Sequence, residues 1–216
     1  MMGRPGEPLS SIDKAAKQWW RDGLDWYVEP VWATSGLLTV ERFVGEVWDP
    51  SCGGGNIVEA CLSAGLVAHG SDIKRRTTRA WFRGEIDFLA YSGPTLAPNI
   101  FMNPPFYRAK GAEAFIRKAL VLANRKVAAF VDIKFLASEG RAAGIYAELP
   151  PTRVWSISPR PSCPPGEYLL AGKKAEGGTA DWVWLVWDLT APRSATEFGW
   201  LRCAAADAPL LDGASA

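Results

Sequence analysis

Short apolar runs alternate with segments of helical spacing between residues 45 and 136, and this alternation limits the chain to few architectures. GEVWDPSCGGG is typical of a strand entering a glycine-rich turn, NIVEACLSAGL has helical spacing, and VAHGSDI is typical of a second strand. EIDFLA, NIFMNPPF and VAAFVDIKFL are further strand candidates, and AEAFIRKALVLANRK between the last two is helical. Strands and helices alternating at this spacing predict an α/β fold, with a parallel sheet and helices on both faces.

The chain is predicted to form one domain. Its 216 residues are 48% apolar and 22% charged, which is typical of a soluble globular domain with a sizeable core. We expect residues 1–12 to be a loose tail, residues 13–190 to form the domain, beginning with a helix in IDKAAKQWWRDGL, and residues 191–216 to be an extension or tail. Beyond Pro150, RVWSIS and DWVWLVW are strand-like, and the Pro/Gly-rich segments between them are long loops.

Charge and cysteine content argue against several functions. Four dispersed cysteines without a CxxC pair, and His69 as the single histidine, argue against a zinc site and a disulfide framework. With a net charge of +1, contacts to nucleic acid would come from local basic clusters. No apolar run approaches the roughly 18 residues of a membrane span, and residues 1–17 lack a secretory leader. We therefore expect a cytoplasmic protein without a metal.

The glycine-rich turn after the first strand is the first candidate site. Ligands of an open parallel sheet bind at the carboxyl ends of its strands. Gly53, Gly54 and Gly55 let the backbone turn tightly and approach a ligand, and the helix starting near Asn56 directs its amide end to the same place. Asp49, just before the turn, can pair with a cationic group such as the ammonium of an amino acid.

Acids also follow the next two strands. Asp72 closes the second strand, where a carboxylate can hold ribose hydroxyls, and the KRR run at 74–76 is interpreted as a solvated helix start. Asp87 and Phe88 offer an acceptor for an amino group and a ring to lie against a base. Because the chain has neither GxGxxG nor GxxxxGKS/T, the ligand is expected to lack phosphate. S-adenosylmethionine, with an ammonium, a ribose and an adenine, is such a ligand.

FMNPPF at residues 101–106 is the second candidate site. The fixed φ angles of Pro104 and Pro105 make a stiff corner, so the side-chain oxygen of Asn103 and the carbonyl of Pro104 can act as two fixed acceptors for one amino group. Phe106 can stack on the base that carries this amine. An aromatic amine is a weak nucleophile because its lone pair is delocalised, and two acceptors favour the localised form. Alignment and electrostatics then suffice without a strong base.

Together these motifs resemble the amino-methyltransferases that modify adenine N6 in DNA, a family that includes small enzymes of phages and of restriction-modification systems. The order, glycine turn first and NPPF later, is similar to the family's gamma-type arrangement. DPSCGGG resembles its cofactor motif, and NPPF matches its catalytic motif. WYVEPVWAT is similar to its opening cofactor segment, with Glu29 and Pro30 where Thr-Pro is more usual. The resemblance covers residues 26–188.

The resemblance implies a Rossmann-like, seven-stranded methyltransferase sheet, mostly parallel, whose last hairpin around DWVWLVW adds an antiparallel strand. It also implies methyl transfer from S-adenosylmethionine to adenine N6 in DNA. The residues implied in catalysis are Asn103, Pro104, Pro105 and Phe106. The residues implied in cofactor binding are Glu29, Pro30, Asp49, Pro50, Cys52, Gly53, Gly55, Asp72, Ile73, Asp87, Phe88 and Asn103.

Larger relatives carry a separate target-recognition domain, for which this chain has no room. Recognition of double-stranded DNA is therefore expected from the loops YRAKGAE, FLASEGR and SPRPSCPPGEYLLAGKKAEGG, with the target adenine flipped out of the duplex. The basic residues expected to contact phosphate are Arg108, Lys110, Arg160, Lys173 and Lys174.

Other activities remain open at this point. Asn-Pro-Pro-aromatic motifs also serve enzymes that methylate RNA bases or a glutamine amide in a protein, and a silent DNA-binding homologue could keep the fold without turnover. The basic Pro/Gly loops resemble those of phage adenine enzymes, and this resemblance favours DNA as the substrate.

Overall fold

The expected parallel sheet is present, with one strand more than the resemblance implies. The computed structural model describes residues 25–106, 110–175, 177–192 and 195–202. The strands are β1 Val47–Asp49, β2 Ala68–Asp72, β3 Phe82–Glu85, β4 Asn99–Met102, β5 Lys126–Asp132, β6 Arg153–Ser158, β7 Trp182–Asp188 and β8 Glu197–Arg202. They form one eight-stranded sheet in the order β3-β2-β1-β4-β5-β7-β6-β8.

The helices connect the strands. They are α1 Val31–Val40, α2 Asn56–Ser63, α3 Lys110–Leu122, α4 Glu139–Ala143, α5 Ile145–Glu148 and α6 Gly166–Leu170, with a 3₁₀ turn at Ile133–Phe135. Within the described ranges, none of these helices has the length and apolar character to cross a membrane. The predicted tail at 1–12, the helix predicted in 12–24 and most of the predicted C-terminal tail lie outside the described residues.

Strand directions confirm a mostly parallel sheet with an antiparallel hairpin. β1 pairs in parallel with both β2 and β4, β2 with β3, and β4 with β5. β7 is antiparallel to both of its neighbours, β5 and β6, and β8 is parallel to β6. The carboxyl ends of β1, β2 and β4 therefore meet at one edge of the sheet.

Alternating side chains divide the core into two layers. Along β5, Val127, Ala129 and Val131 pack in one layer with α3, whereas Ala128 and Phe130 pack in the other with α1 and α2. All five are completely buried, because a parallel strand covered on both faces has no solvent-facing side. Helices on both faces are thus confirmed.

Two details of the sequence-based fold are wrong. The third strand is Phe82–Glu85, so it ends where the predicted segment 85–90 begins. The apolar character of that segment has another cause, since Phe88 reaches the core from the turn after the strand. Within the described residues the sheet has eight strands, because Glu197–Arg202, inside the region expected to be an extension or tail, pairs with β6. Leu201 anchors this added strand in the layer under α1 and α2.

Trp184 offers a test of this layer. Its ring is fully buried, and its indole N–H donates to the carbonyl of Ala33 in α1 at 3.0 Å. We expect Trp184→Phe to lower the free energy of unfolding by about 2 to 3 kcal/mol, since it leaves a cavity and an unmade hydrogen bond. Urea titration measures the change. Trp200→Phe, at a side chain that is 69% exposed, is the matched control and should change stability little.

Candidate active site

The glycine turn and the NPPF corner lie side by side at the carboxyl edge of the sheet. β1 and β4 are adjacent and parallel, so the loops that follow them start at neighbouring points. The Ser51 hydroxyl donates to the backbone carbonyl of Asn103 at 3.2 Å, which ties the two loops together. Both loops line a cavity of about 230 Å³ that also reaches the ends of β2 and β3.

The glycine turn needs its glycines for backbone reasons. Gly53 and Gly55 have φ angles of 52° and 100°, in the left-handed region that favours glycine. A Cβ atom added to Gly53 would lie 2.5 Å from the indole nitrogen of Trp26, so the segment before α1 packs directly on the turn. The Gly53 amide donates to a carboxylate oxygen of Asp72 at 2.8 Å, which connects the turn to the end of β2.

Asp72 organises the edge of the cavity. One carboxylate oxygen accepts from the Gly53 amide, and the other accepts from the Lys74 amide at 3.1 Å and from the Arg76 guanidinium at 2.7 Å. The guanidinium also lies 4.6 Å from the centre of the Trp26 ring, a cation–π distance. The interpretation of the KRR run as a solvated helix start is therefore wrong: no helix begins there, and Arg76 lines the cavity.

The Asn103 side chain has a defined orientation. Its amide nitrogen donates to the backbone carbonyl of Tyr27 at 2.9 Å and to the carboxyl oxygen Oε2 of Glu29 at 2.8 Å. Both acceptors belong to the segment before α1. Because the two hydrogens of the amide are directed to these acceptors, its carbonyl oxygen lies on the opposite side of the group. Asn103 lines the cavity together with Pro105.

Two buried carboxyl groups lie close to the glycine turn: Glu29 lines the small hollow together with its glycines, and Asp49 directly precedes it in the chain. Burial raises the pKa of Glu29 to about 7, although the hydrogen bond from Asn103 acts in the opposite direction. Burial, with the nearby carboxyl groups of Glu29 and Asp72, also raises the pKa of Asp49 well above its usual value. The Asp49 carboxylate accepts from the Ser51 amide at 3.0 Å. Such a pair favours a cation beside it, because a positive charge would stabilise both ionised forms.

The other predicted residues fall into three groups. Of the implied cofactor-binding residues, Pro50, Asp72, Ile73, Asp87, Phe88 and Asn103 line the large cavity. Glu29, Cys52, Gly53 and Gly55 line a small adjoining hollow of about 10 Å³, which shares Trp26, Tyr27 and Ser51 with the cavity. Pro30, Asp49, Pro104 and Phe106 stand outside both linings.

Three of these residues also have structural contacts. The Asp87 carboxylate accepts from the Leu89 and Ala90 amides, so it holds the turn after β3. Phe88 is a core residue, 1% exposed, whose ring packs edge-on against Trp48. Phe106 is half-buried, and its ring contacts that of Trp182 edge-on, with centroids 6.0 Å apart.

The predicted DNA-contacting residues lie in segments of the chain between β4 and β5 and between β6 and β7. Arg108 lies outside the described residues, as does the side chain of Lys110. Arg160 pairs with Asp181 at 2.6 Å on the surface. Lys173 and Lys174 are exposed and follow α6, whose Leu169 packs with Trp26 beside the cavity.

Sequence reasoning missed several residues of the site. Trp26, Tyr27, Ser51 and Arg76 all line the cavity. The first three lie inside WYVEPVWAT and DPSCGGG, but without tertiary contacts no signal distinguished them from packing residues. For Arg76, the signal was an arginine four residues after the acid that ends β2. In the described part of the chain, no three His, Cys, Asp or Glu side chains are grouped as metal ligands.

Comparisons with known proteins support the fold. No protein-family model matches the chain, and no curated protein matches it. A solved modification subunit assigned to a type I restriction enzyme of Vibrio vulnificus YJ016 matches 87% of this chain with a TM-score of 0.54 and 14% identity; the chain spans 48% of that subunit's length. A protein assigned as an RNA methyltransferase, PH1948 of Pyrococcus horikoshii, matches 74% of this chain and 81% of its own with a TM-score of 0.51 and 16% identity. The chain thus has the Rossmann-like fold of methyltransferases.

The buried carboxyl of Glu29 predicts a pH-dependent stability. Its pKa is about 7 in the folded protein against 4.5 as the ordinary value, so the folded state keeps a proton that the unfolded state releases. Stability from this group therefore falls as pH rises from about 4.5 to about 7, by roughly 3 kcal/mol in all. Glu29→Gln cannot release the proton. We expect its free energy of unfolding, relative to the unsubstituted protein, to increase between pH 5 and pH 8.

Denaturant titration at the two pH values measures this difference. Glu139→Gln, at an exposed position of α4, is the matched control, and its difference should stay constant with pH. An equally constant difference for Glu29→Gln would contradict the buried, proton-binding carboxyl.

Proposed function

We propose that this protein transfers a methyl group from S-adenosylmethionine to the N6 amine of adenine in DNA. The observation that carries the proposal is the fixed amide of Asn103, which lines a cavity shared with the glycine turn and the acid that ends β2. The methyltransferase fold supports the reaction class, because its ligands bind at this edge of the sheet.

The residues of the cavity fit the cofactor. Asp72 carries carboxylate lone pairs that can accept from ribose hydroxyls, and Arg76 holds that carboxylate in place. Asp87 and Phe88 also line the cavity, and the adenine amine and ring of the cofactor would lie beside them. Glu29 lines the hollow that adjoins the cavity, where an ammonium would lie, and the buried Asp49 would add negative charge behind it. When bound, S-adenosylmethionine supplies a methyl group already activated on a sulfonium.

The NPPF corner would align the amine of the target base. The amide oxygen of Asn103 and the carbonyl of Pro104 accept its two hydrogens, which favours a localised lone pair on N6. A lone pair held in this way would be directed at the methyl group that the cofactor supplies, and the amine would release one proton to solvent after transfer. Alignment of this kind can supply about 7 to 11 kcal/mol. His69, a buried residue within β2, is not needed as a base.

DNA as the substrate is supported by two observations. The solved modification subunit was assigned to a type I restriction enzyme, and the exposed Lys173 and Lys174 follow a helix that packs beside the cavity. Adenine inside a duplex hides its amine, so the target base would be flipped out at a cost of a few kcal/mol, which backbone contacts offset. The similarity to a protein assigned as an RNA methyltransferase makes RNA adenine the alternative.

Substrate identity is tested with labelled cofactor. The protein is incubated with tritiated S-adenosylmethionine and double-stranded DNA, RNA or protein, and each product is digested and its labelled species identified. Label in N6-methyladenine of DNA is the expected result. Label confined to RNA or to glutamine, or no label in any substrate, would overturn the proposal.

Asn103→Ala tests the catalytic residue. We expect turnover to fall by at least about 100-fold, because the variant lacks one of the two fixed acceptors. Cofactor affinity, measured by calorimetric titration, should stay within a few fold.

Asn124→Ala is the matched control for this substitution. Asn124 is exposed after α3, and its backbone amide donates to Pro98, so the variant should keep full turnover. A loss of cofactor binding in Asn103→Ala would contradict the assigned role of Asn103.

Salt dependence tests the proposed binding of DNA phosphates. Removing one cation that binds a phosphate should reduce the slope of log affinity against log salt by about 1. We expect this reduction for Lys174→Glu. The charge-matched control is Arg42→Glu, an exposed residue just before β1 at the opposite edge of the sheet. Fluorescence anisotropy with labelled duplex DNA measures both slopes, and equal slopes for the two variants would remove Lys174 from the DNA interface.

A further inference from the structure

Glu29 contacts the side-chain amide of Asn103, the group on which the proposed reaction depends. Its Oε2 atom and the Tyr27 carbonyl are the two acceptors for the Asn103 amide nitrogen, at 2.8 and 2.9 Å. Turning the amide by 180° would place its oxygen against both acceptors. This contact therefore determines which atom of Asn103 is presented on the other side of the amide.

The Glu29 backbone is itself held by neighbouring elements. The Asn56 side chain, at the first residue of α2, donates to the Glu29 carbonyl at 2.6 Å. The Val28 amide donates to the Pro164 carbonyl at 2.9 Å, just ahead of α6. The Glu29 side chain is buried, so water does not compete for its carboxyl group. A carboxyl held in this way can act as a fixed template for the amide.

We propose that Glu29 is a positioning residue that acts through Asn103: it holds the amide with its oxygen directed toward the target amine, and it makes turnover depend on its own ionisation. The kinetic part of this inference rests on the proposed function. The orientation of Asn103 does not, since it is a property of the protein without substrate.

The direction of the pH effect follows from the hydrogen bond. An ionised Glu29 can only accept, so it excludes the turned amide and makes the bond from Asn103 charge-assisted. A protonated Glu29 can donate to a turned amide, and the preference weakens. The groups facing it are Asp49 at the end of β1 and Cys163 ahead of α6, with Asp72 acting on Asp49 from β2. Burial raises the pKa of Glu29 to about 7 in the protein without cofactor, so kcat/KM, which reports ionisation in the free enzyme, should rise as pH increases through that value.

Nuclear magnetic resonance tests the contact without any reaction. The chain has four asparagines, so ¹⁵N-asparagine labelling gives few side-chain amide signals, and Asn103→Ala identifies those of Asn103. We expect these signals to shift with pH, with a midpoint near 7, and the shift to disappear in Glu29→Gln. Signals that do not titrate, or that titrate equally in Glu29→Gln, would overturn the inference whatever the substrate of the protein is.

Kinetics on the accepted substrate distinguish positioning from cofactor binding. Glu29→Ala should lower kcat by about 10- to 100-fold, with a smaller change in KM for the cofactor. Glu29→Gln can still accept through its amide oxygen, but like the protonated carboxyl it can also donate to a turned amide. At pH 8 its kcat should therefore lie between those of Glu29→Ala and the unsubstituted protein, without the rise of kcat/KM through pH 7. Glu139→Gln is the control and keeps the unsubstituted profile. A loss confined to KM, or no rescue by Gln, would contradict the positioning role.

Discussion

Parallel pairing of β1 with β2 on one side and β4 on the other is the constraint on which the site depends. Val47 is opposite Ala68 in one neighbour and Asn99 in the other, so the three strands run in register toward the same edge. Their following loops carry the glycine turn, the Asp72 carboxylate and the NPPF corner. Backbone hydrogen bonds in the sheet thus bring together three motifs that are up to about 50 residues apart in the chain. The sheet is covered on both faces, so this register resists change.

The site combines a stiff corner with buried acids. In the proposed reaction the corner would present fixed carbonyl oxygens, and the acids would favour a positive charge near the glycine turn. Glu29 links the two functions, because the same carboxyl group lies beside the glycine turn and accepts from Asn103. Burial of this carboxyl lowers the free energy of unfolding at pH values above the ordinary pKa of a glutamate. In the folded chain the pKa of this carboxyl is about 7, so its ionisation changes near neutral pH.

The sequence predicted much of the fold because its main signals are local. Glycines with positive φ, prolines in a corner and the change from strand to helical spacing all act within a few residues, and the helix ending before Gly65 is one example. The third strand was misplaced because β3 is an edge strand of alternating burial with no apolar run. β8 was missed because only Leu201 of that strand is buried, so its pairing with β6 leaves little trace in the pattern.

The sequence by itself determined which chemical groups are available: a glycine turn with an acid before it, an acid at the end of β2 and a rigid Asn-Pro-Pro corner. Only the tertiary structure decided how those groups are used. It brought Arg76 back onto Asp72 and across Trp26, and it buried Glu29 against Asn103. The physical reason is that turn geometry depends on neighbouring residues, whereas the orientation of an amide and the ionisation of a carboxyl depend on atoms that folding brings from distant parts of the chain.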